Sequence, residues 1–140
     1  MSHPAVIDTN IVVSGILTAR PESPTARILD GMMTGTFPYL ISVALLAEYR
    51  QVLLRPKISR RHGLSAPEVD IILTEIAANG AIVDVEPATG RRKEGDDHLW
   101  QILDENPSAV LVTGDKQLFD RPKEGHRVLS PRAYLELIGA

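Results

Sequence analysis

The chain has 140 residues, 44% hydrophobic and 24% charged, and a formal net charge of −3; that is the size of one compact domain, here taken as 1–140, able to bury a core without staples. It has no cysteine, which excludes disulfides and thiolate ligands and leaves carboxylate, carbonyl, imidazole or water for any metal, a set that suits Mg2+ or Mn2+ better than structural zinc. No apolar run approaches the roughly 20 residues that span a bilayer, and the N-terminus lacks a basic region and a cleavage site, so no membrane attachment and a cytoplasmic location are expected.

Ala5-Val6-Ile7 reads as a short buried strand ending at Asp8-Thr9-Asn10, with a helix from Ile11 onward. Ser23-Pro24, a capping serine with proline in the first turn, starts a second helix that runs to Gly35. Phe37 to Ile41 is the second strand. Ser42 caps a helix through about Leu54, which Pro56 stops. Ser65 and Glu68 form a capping box for a helix with Val69, Ile72, Leu73 and Ile76 on one face, ended by Asn79-Gly80. Ala81 to Val85 is a third strand, and Pro87 to Gly95 a polar loop. A helix spans Asp96 to about Glu105, Ala109 to Val112 is a fourth strand, and Arg127 to Leu129 a fifth. Ser130-Pro131 opens the last helix. Strands alternating with helices predict an α/β protein with a central, mainly parallel sheet flanked by helices.

In an open parallel sheet, function gathers outside the carboxyl ends of the strands. Two predicted strands end in an acid, at Asp8 and at Thr113-Gly114-Asp115, which sets both carboxylates on one rim. Aspartate also favours turns and caps for local reasons, and either acid alone has that explanation. Glu48 lies at the edge of the apolar arc of its helix, beside Val52. It is either a partnered site residue or a rim glutamate paired with Arg50 or Arg55. At the start of the next helix, Asp96 has Leu99, Trp100 and Leu103 at i+3, i+4 and i+7, in line with the buried face. Asp97 is its close rival, and helix capping explains one acid there without any function. Four carboxylates drawn together repel one another unless a divalent cation is held between them.

Val6-Ile7-Asp8-Thr9-Asn10, Ser42 followed by Glu48-Tyr49, Asp96-Asp97 and Val112-Thr113-Gly114-Asp115, in that order across essentially the whole chain, resemble PIN domains. The segments Leu46 to Lys57 and Val112 to Leu118, and more weakly Arg127 to Leu135, are most similar to PIN-domain toxins of toxin–antitoxin systems, relatives of the VapC-like toxins. The resemblance implies a three-layer fold and a Mg2+- or Mn2+-dependent endoribonuclease with Asp8, Glu48, Asp96 and Asp115 as catalytic and metal-binding acids. It further implies that Thr9, Asn10 or Thr113 orients a carboxylate or a bound water, that an antitoxin protein is the partner, and that the protein forms a homodimer. Relatives often carry an Asp-Pro-Asp-Asp-like stretch where this chain has Lys93-Glu94-Gly95-Asp96-Asp97. That departure leaves Asp96 and Asp97 both open as the third acid, with Glu94 available from the loop.

The overall negative charge means that RNA must be gripped by local basic patches. From Arg50 to Pro67 there are five basic residues, Arg50, Arg55, Lys57, Arg60 and Arg61, and no acid. Arg91, Arg92 and Lys93 form a second cluster just before Asp96. The alternative is a solvated helix end, where cations favour the dipole. Lys116, next to Asp115, is available to an acid or a phosphate. Tyr49 and Trp100 are expected in the core, and none of His3, His62, His98 and His126 is assigned a general-base role. Two other functions compete. An inactive PIN-like interaction module would have no need of the acids. A phospho-acceptor receiver domain would want paired acids after the first strand and an Asp after a middle one.

Overall fold

The computed structural model describes residues 3–84, 97–120 and 126–140, with the side chains of Asp97 and Asp120 excepted. Five strands, β1 (Ala5–Ile7), β2 (Tyr39–Ile41), β3 (Ala81–Ile82), β4 (Val110–Val112) and β5 (Arg127–Leu129), form one sheet in the order β3-β2-β1-β4-β5. Every pairing is parallel. The α/β architecture expected from the sequence is the one found, a sheet flanked by helices in a three-layer arrangement. The three central strands are buried along their whole length, which is why Ala-Val-Ile, Tyr-Leu-Ile and Val-Leu-Val are continuous apolar runs rather than alternating ones.

Eight helices are present among the described residues: α1 (Thr9–Leu17), α2 (Pro24–Thr34), α3 (Val43–Leu53), α4 (Pro56–His62), α5 (Ala66–Asn79), α6 (Asp97–Glu105), α7 (Lys116–Asp120) and α8 (Pro131–Leu137). Serine caps recur. The hydroxyls of Ser23, Ser42, Ser65 and Ser130 each accept from a backbone N–H in the first turn of α2, α3, α5 and α8, satisfying donors that a helix start otherwise leaves orphaned. Glu68 completes the capping box by accepting from Ser65 N–H at 2.9 Å, and these bonds hold its carboxyl below its ordinary pKa.

Four local details differ from the sequence reading. The first helix starts at Thr9, not Ile11, because Asp8 itself is the cap. Pro56 not only follows the end of α3 but opens α4 in its first turn, and Gly63, at φ 69°, closes that helix in the left-handed region. The short α7 after Asp115 was not anticipated; Asp115 accepts from Gln117 N–H at 2.9 Å and starts it. The third strand covers only Ala81–Ile82 of the expected 81–85, and residue 85, like the 87–95 loop, lies outside the described residues.

The core is aliphatic with a few large rings. Tyr39, Tyr49, Tyr134, Ile28, Met32, Leu45, Leu99 and Ile102 are among its fully buried side chains, and Trp100 is 7% exposed. Tyr49 and Trp100 are therefore core residues, as expected. Helix α1 packs tightly on α2 at Gly15, where an added Cβ would come within 2.8 Å of the Thr25 carbonyl. Among the described residues no helix is long and apolar enough to cross a membrane.

Candidate active site

The chain passes from β1 outward to β2 and β3 on one side, then returns to β4 and β5 on the other. The order therefore reverses between β1 and β4, and the carboxyl ends of strands flanking such a reversal frame a crevice. Ile7 and Val112 are paired in register, and Asp8 N–H continues the ladder to Val112 O at 2.9 Å. The next residues out are Asp8 on one strand and Thr113-Gly114-Asp115 on the other.

Thr113 ties the two acids together. Its side chain is fully buried. Its hydroxyl donates to Asp8 Oδ2 at 2.7 Å and accepts from Asp115 N–H at 3.0 Å. Asp8 is 6% exposed; its Oδ1 accepts from Thr9 N–H at 2.8 Å, at the start of α1 where the helix dipole also favours negative charge. The Asn10 amide donates toward Asp8 Oδ2 at 3.3 Å and the Thr113 hydroxyl at 3.4 Å, while Asn10 Oδ1 accepts from Gly114 N–H at 3.2 Å. A buried carboxylate needs such donors, because losing its water is costly unless they are replaced.

Glu48 reaches the same rim from α3. Its Oε2 accepts from the Thr9 hydroxyl, and its Oε1 lies 3.1 Å from His98 Nε2 on α6. Its side chain is partly buried, as its position at the edge of the apolar arc led one to expect. Neither Arg50 nor Arg55 pairs with it: Arg50 Nε meets Asp70 Oδ1 at 2.7 Å. With a carboxylate as acceptor, His98 Nε2 is the donor, and His98 Nδ1 is buried without a hydrogen-bond partner among the described residues. Beneath Glu48, Tyr49 donates to Ile7 O at 2.5 Å. Burial, with the nearby Asp8 and Glu48 carboxylates adding to it, pushes the Tyr49 phenol well above its ordinary pKa.

Asp8, Thr9, Asn10 and Asp115 open onto a cleft of about 580 Å³ that runs along α1 to α4. Of the expected acids, Asp8 and Asp115 share Thr113, and Glu48 joins them through Thr9. Asp96, Arg91, Arg92 and Lys93 lie outside the described residues, as does the side chain of Asp97. Arg55 and Lys57 are exposed at the start of α4. Arg50 is held by Asp70 and stands two residues past Glu48, about 200° further round the helix.

One residue escaped sequence reasoning. His98 carried no motif of its own, although at one position beyond Asp97 on a helix opening at the rim it was in reach. Arg61, one of the basic residues between Arg50 and Pro67, lines the cleft together with the acids, a position that only the placement of α4 reveals.

The donor set at the rim is all oxygen apart from His98, which fits a hard divalent cation. Among the described residues, however, no three acids or histidines stand close enough to hold a metal by themselves. The pattern lacks the paired acids of a receiver domain, since Asp8 is followed by Thr9-Asn10. No curated protein matches the chain. The sequence description of the PIN domain, whose members are generally nucleases, matches residues 4–117, from just before β1 into α7, and so the chain belongs to the PIN domain family.

Proposed function

We propose that the protein is a Mg2+- or Mn2+-dependent endoribonuclease and the cytoplasmic toxin of a toxin–antitoxin pair. The observation that carries the catalytic reading is the Thr113 hydroxyl, which joins Asp8 and Asp115 at the point where the strand order reverses. Asp8, Glu48, Asp115 and one of Asp96 and Asp97 would hold the cation. When bound, it would lower the pKa of a water and offset charge on the phosphodiester. The chain's own groups do the positioning. Thr9 N–H and the Thr113 hydroxyl fix the two oxygens of Asp8, while the Thr9 hydroxyl and His98 fix those of Glu48. Arg55, Lys57 and the Arg91–Lys93 cluster are proposed to meet phosphates flanking the cut. Arg50 would have to leave Asp70 to join them.

The test is cleavage of RNA by wild type and by Asp8→Asn and Asp115→Asn. Wild type should cut with Mn2+ or Mg2+ and stop with chelator. Each variant should lose cleavage by at least about a hundredfold and keep a wild-type circular dichroism spectrum. Mn2+ should also raise the melting temperature of wild type more than that of Asp8→Asn, as a ligand of the folded state alone must. Equal cleavage by clean preparations of either variant would defeat the reading. Failure of Mn2+ to bind or stabilise wild type would instead favour an inactive PIN-like interaction module.

The toxin reading rests on the resemblance of Leu46 to Lys57 and Val112 to Leu118. It carries two partners: an antitoxin that offers a segment to the acidic rim, and a second copy of the chain.

A further inference from the structure

We propose that His62 is an acid-released latch, which in its neutral form fixes α4 as a wall of the cleft and on protonation lets that helix loosen. The latch concerns how the cleft wall is held and does not depend on the ribonuclease reading.

Helix α4 needs holding. It has seven residues and no buried side chain, too short to be stable in water by its own hydrogen bonds, and it rests on α1 and α3. Yet its Ile58 and Arg61 line the same cleft as Asp8 and Asp115. An element with so little burial opens readily unless a few specific bonds secure it.

His62, the last residue of α4, makes two such bonds. Its Nε2 lies 2.8 Å from Leu53 O, and its Nδ1 accepts from Leu64 N–H at 2.9 Å. The partners settle the tautomer, because a carbonyl can only accept and an amide N–H can only donate. Nε2 must carry the proton and Nδ1 must be bare. Both backbone groups stand where helices leave them without partners. Leu53 O belongs to the last turn of α3, and Leu64 N–H comes just after Gly63, which ends α4 at φ 69°. One neutral ring therefore ties the end of α3, the end of α4 and the approach to α5.

Protonation undoes half of this. The Leu53 bond survives, but Nδ1 gains a hydrogen. Two donors then face each other with their nitrogens 2.9 Å apart, and Leu64 N–H is left unsatisfied. The dipole of α4 favours a cation at its last turn, but that effect is screened by salt and confined to the terminus. Among the described residues no carboxylate stands by to offset the charge. On α5, Asp70 is taken by Arg50 of α3, Glu68 accepts from Ser65 N–H, and Glu75 stands further along the helix. On α3, Glu48 is taken by Thr9 and His98. Helix α1 has no charged residue, and α4 itself brings only cations, Lys57, Arg60 and Arg61, with Arg55 at its cap. None of these side chains meets either ring nitrogen. His98 and His126 differ, since each faces a carboxylate, Glu48 and Asp104 respectively.

The experiment follows the full chain by NMR at about pH 7.5 and about pH 5.5, either side of the ordinary histidine value of about 6.5. At the higher pH, long-range nitrogen–proton correlation should show the His62 ring protonated at Nε2 alone. Hydrogen-exchange protection, corrected for the intrinsic pH dependence of exchange, should fall at Gly63 and Leu64 by at least about fivefold at the lower pH, the effect of one lost bond. Amides of β1 and β4 should keep their protection. His62→Gln puts a donor where Nε2 stood and no acceptor at the Nδ1 position. It should show the weaker protection at both pH values, with no step between them. A wild-type ring protonated at Nδ1 at the higher pH overturns the proposal, whatever the variant does. So does protection at Leu64 that is the same at both pH values, or a step that persists in His62→Gln. An equal loss in β1 and β4 is unfolding of the whole molecule and overturns it too.

Discussion

Thr113 is the residue on which the acid rim depends most. It is fully buried, and its one hydroxyl serves Asp8 as donor and Asp115 N–H as acceptor. Thr113→Val keeps the shape and removes both bonds. A bond to a charged group contributes about 1.5–3 kcal/mol, so unfolding in urea should show a loss of that order. Groups that orient metal-binding carboxylates change affinity or activity by about 10–100-fold when removed, and RNA cleavage should fall by that factor. A variant that unfolds earlier yet cleaves at the wild-type rate would show that Thr113 serves the fold alone. Most of this site can be read in the sequence. Asp8 and Asp115 follow from apolar triplets that end in an acid, and Glu48 from its place at the margin of an apolar arc. His98 is not legible in that way, and Arg61 is legible only as one of a basic cluster. Nothing in a local window says that α6 brings His98 to Glu48, or that α4 sets the exposed Arg61 at the edge of the cleft the acids line.

At the scale of elements, the three tyrosines act as pins between them. Tyr49 on α3 donates to Ile7 O of β1, and Tyr134 on α8 to His3 O ahead of β1. Tyr39 on β2 donates to Ile76 O of α5 at 2.6 Å, with Met32 O of α2 also in reach at 3.0 Å. Burial raises the phenols of Tyr39 and Tyr134 to about 12 and that of Tyr49 well above its ordinary value. The folded state therefore holds these protons more tightly than the unfolded chain, whose tyrosines ionise near 10. Their stabilisation is complete below that pH and declines as pH rises from about 10 through about 12. Tyrosinate absorbance should thus appear late and together with unfolding. Reversible titration of all three phenols near pH 10 in a folded protein would contradict it. The elements themselves were legible wherever a serine cap and a proline coincide, as at Ser23-Pro24 and Ser130-Pro131. The same rule misled at Pro56. A proline marks both the end of one helix and the first turn of another, and Arg55 contributes no side-chain cap to tell the two apart. The Gly63 stop was the remaining sign.

At the scale of the molecule, the parallel sheet and its helices follow from alternation alone, whereas strand order does not. Three apolar triplets of equal length offer no local reason for β1 rather than β2 to lie beside β4. The short exposed β3 at one edge and the partly buried β5 at the other show which strands are peripheral only after folding. The proposed partners are also questions at this scale. If the protein is a dimeric toxin, material taken from its native host should run as an assembly heavier than two 15.3 kDa chains, and include a small second protein. Light scattering that returns a bare monomer at micromolar concentration would remove both partners from the reading.

The pairing of Ile7 with Val112 also bears on when the acid rim can form during synthesis. The strand that completes the surroundings of Asp8 is made more than a hundred residues after it. Domains fold as units during synthesis, and contacts between distant segments form late. A nascent chain that stalls before Val110 has Asp8 and Glu48 but neither Thr113 nor Asp115 to set them. A chain interrupted there lacks the link between the two acids, so the acid rim forms only once β4 and the residues through Asp115 have been made.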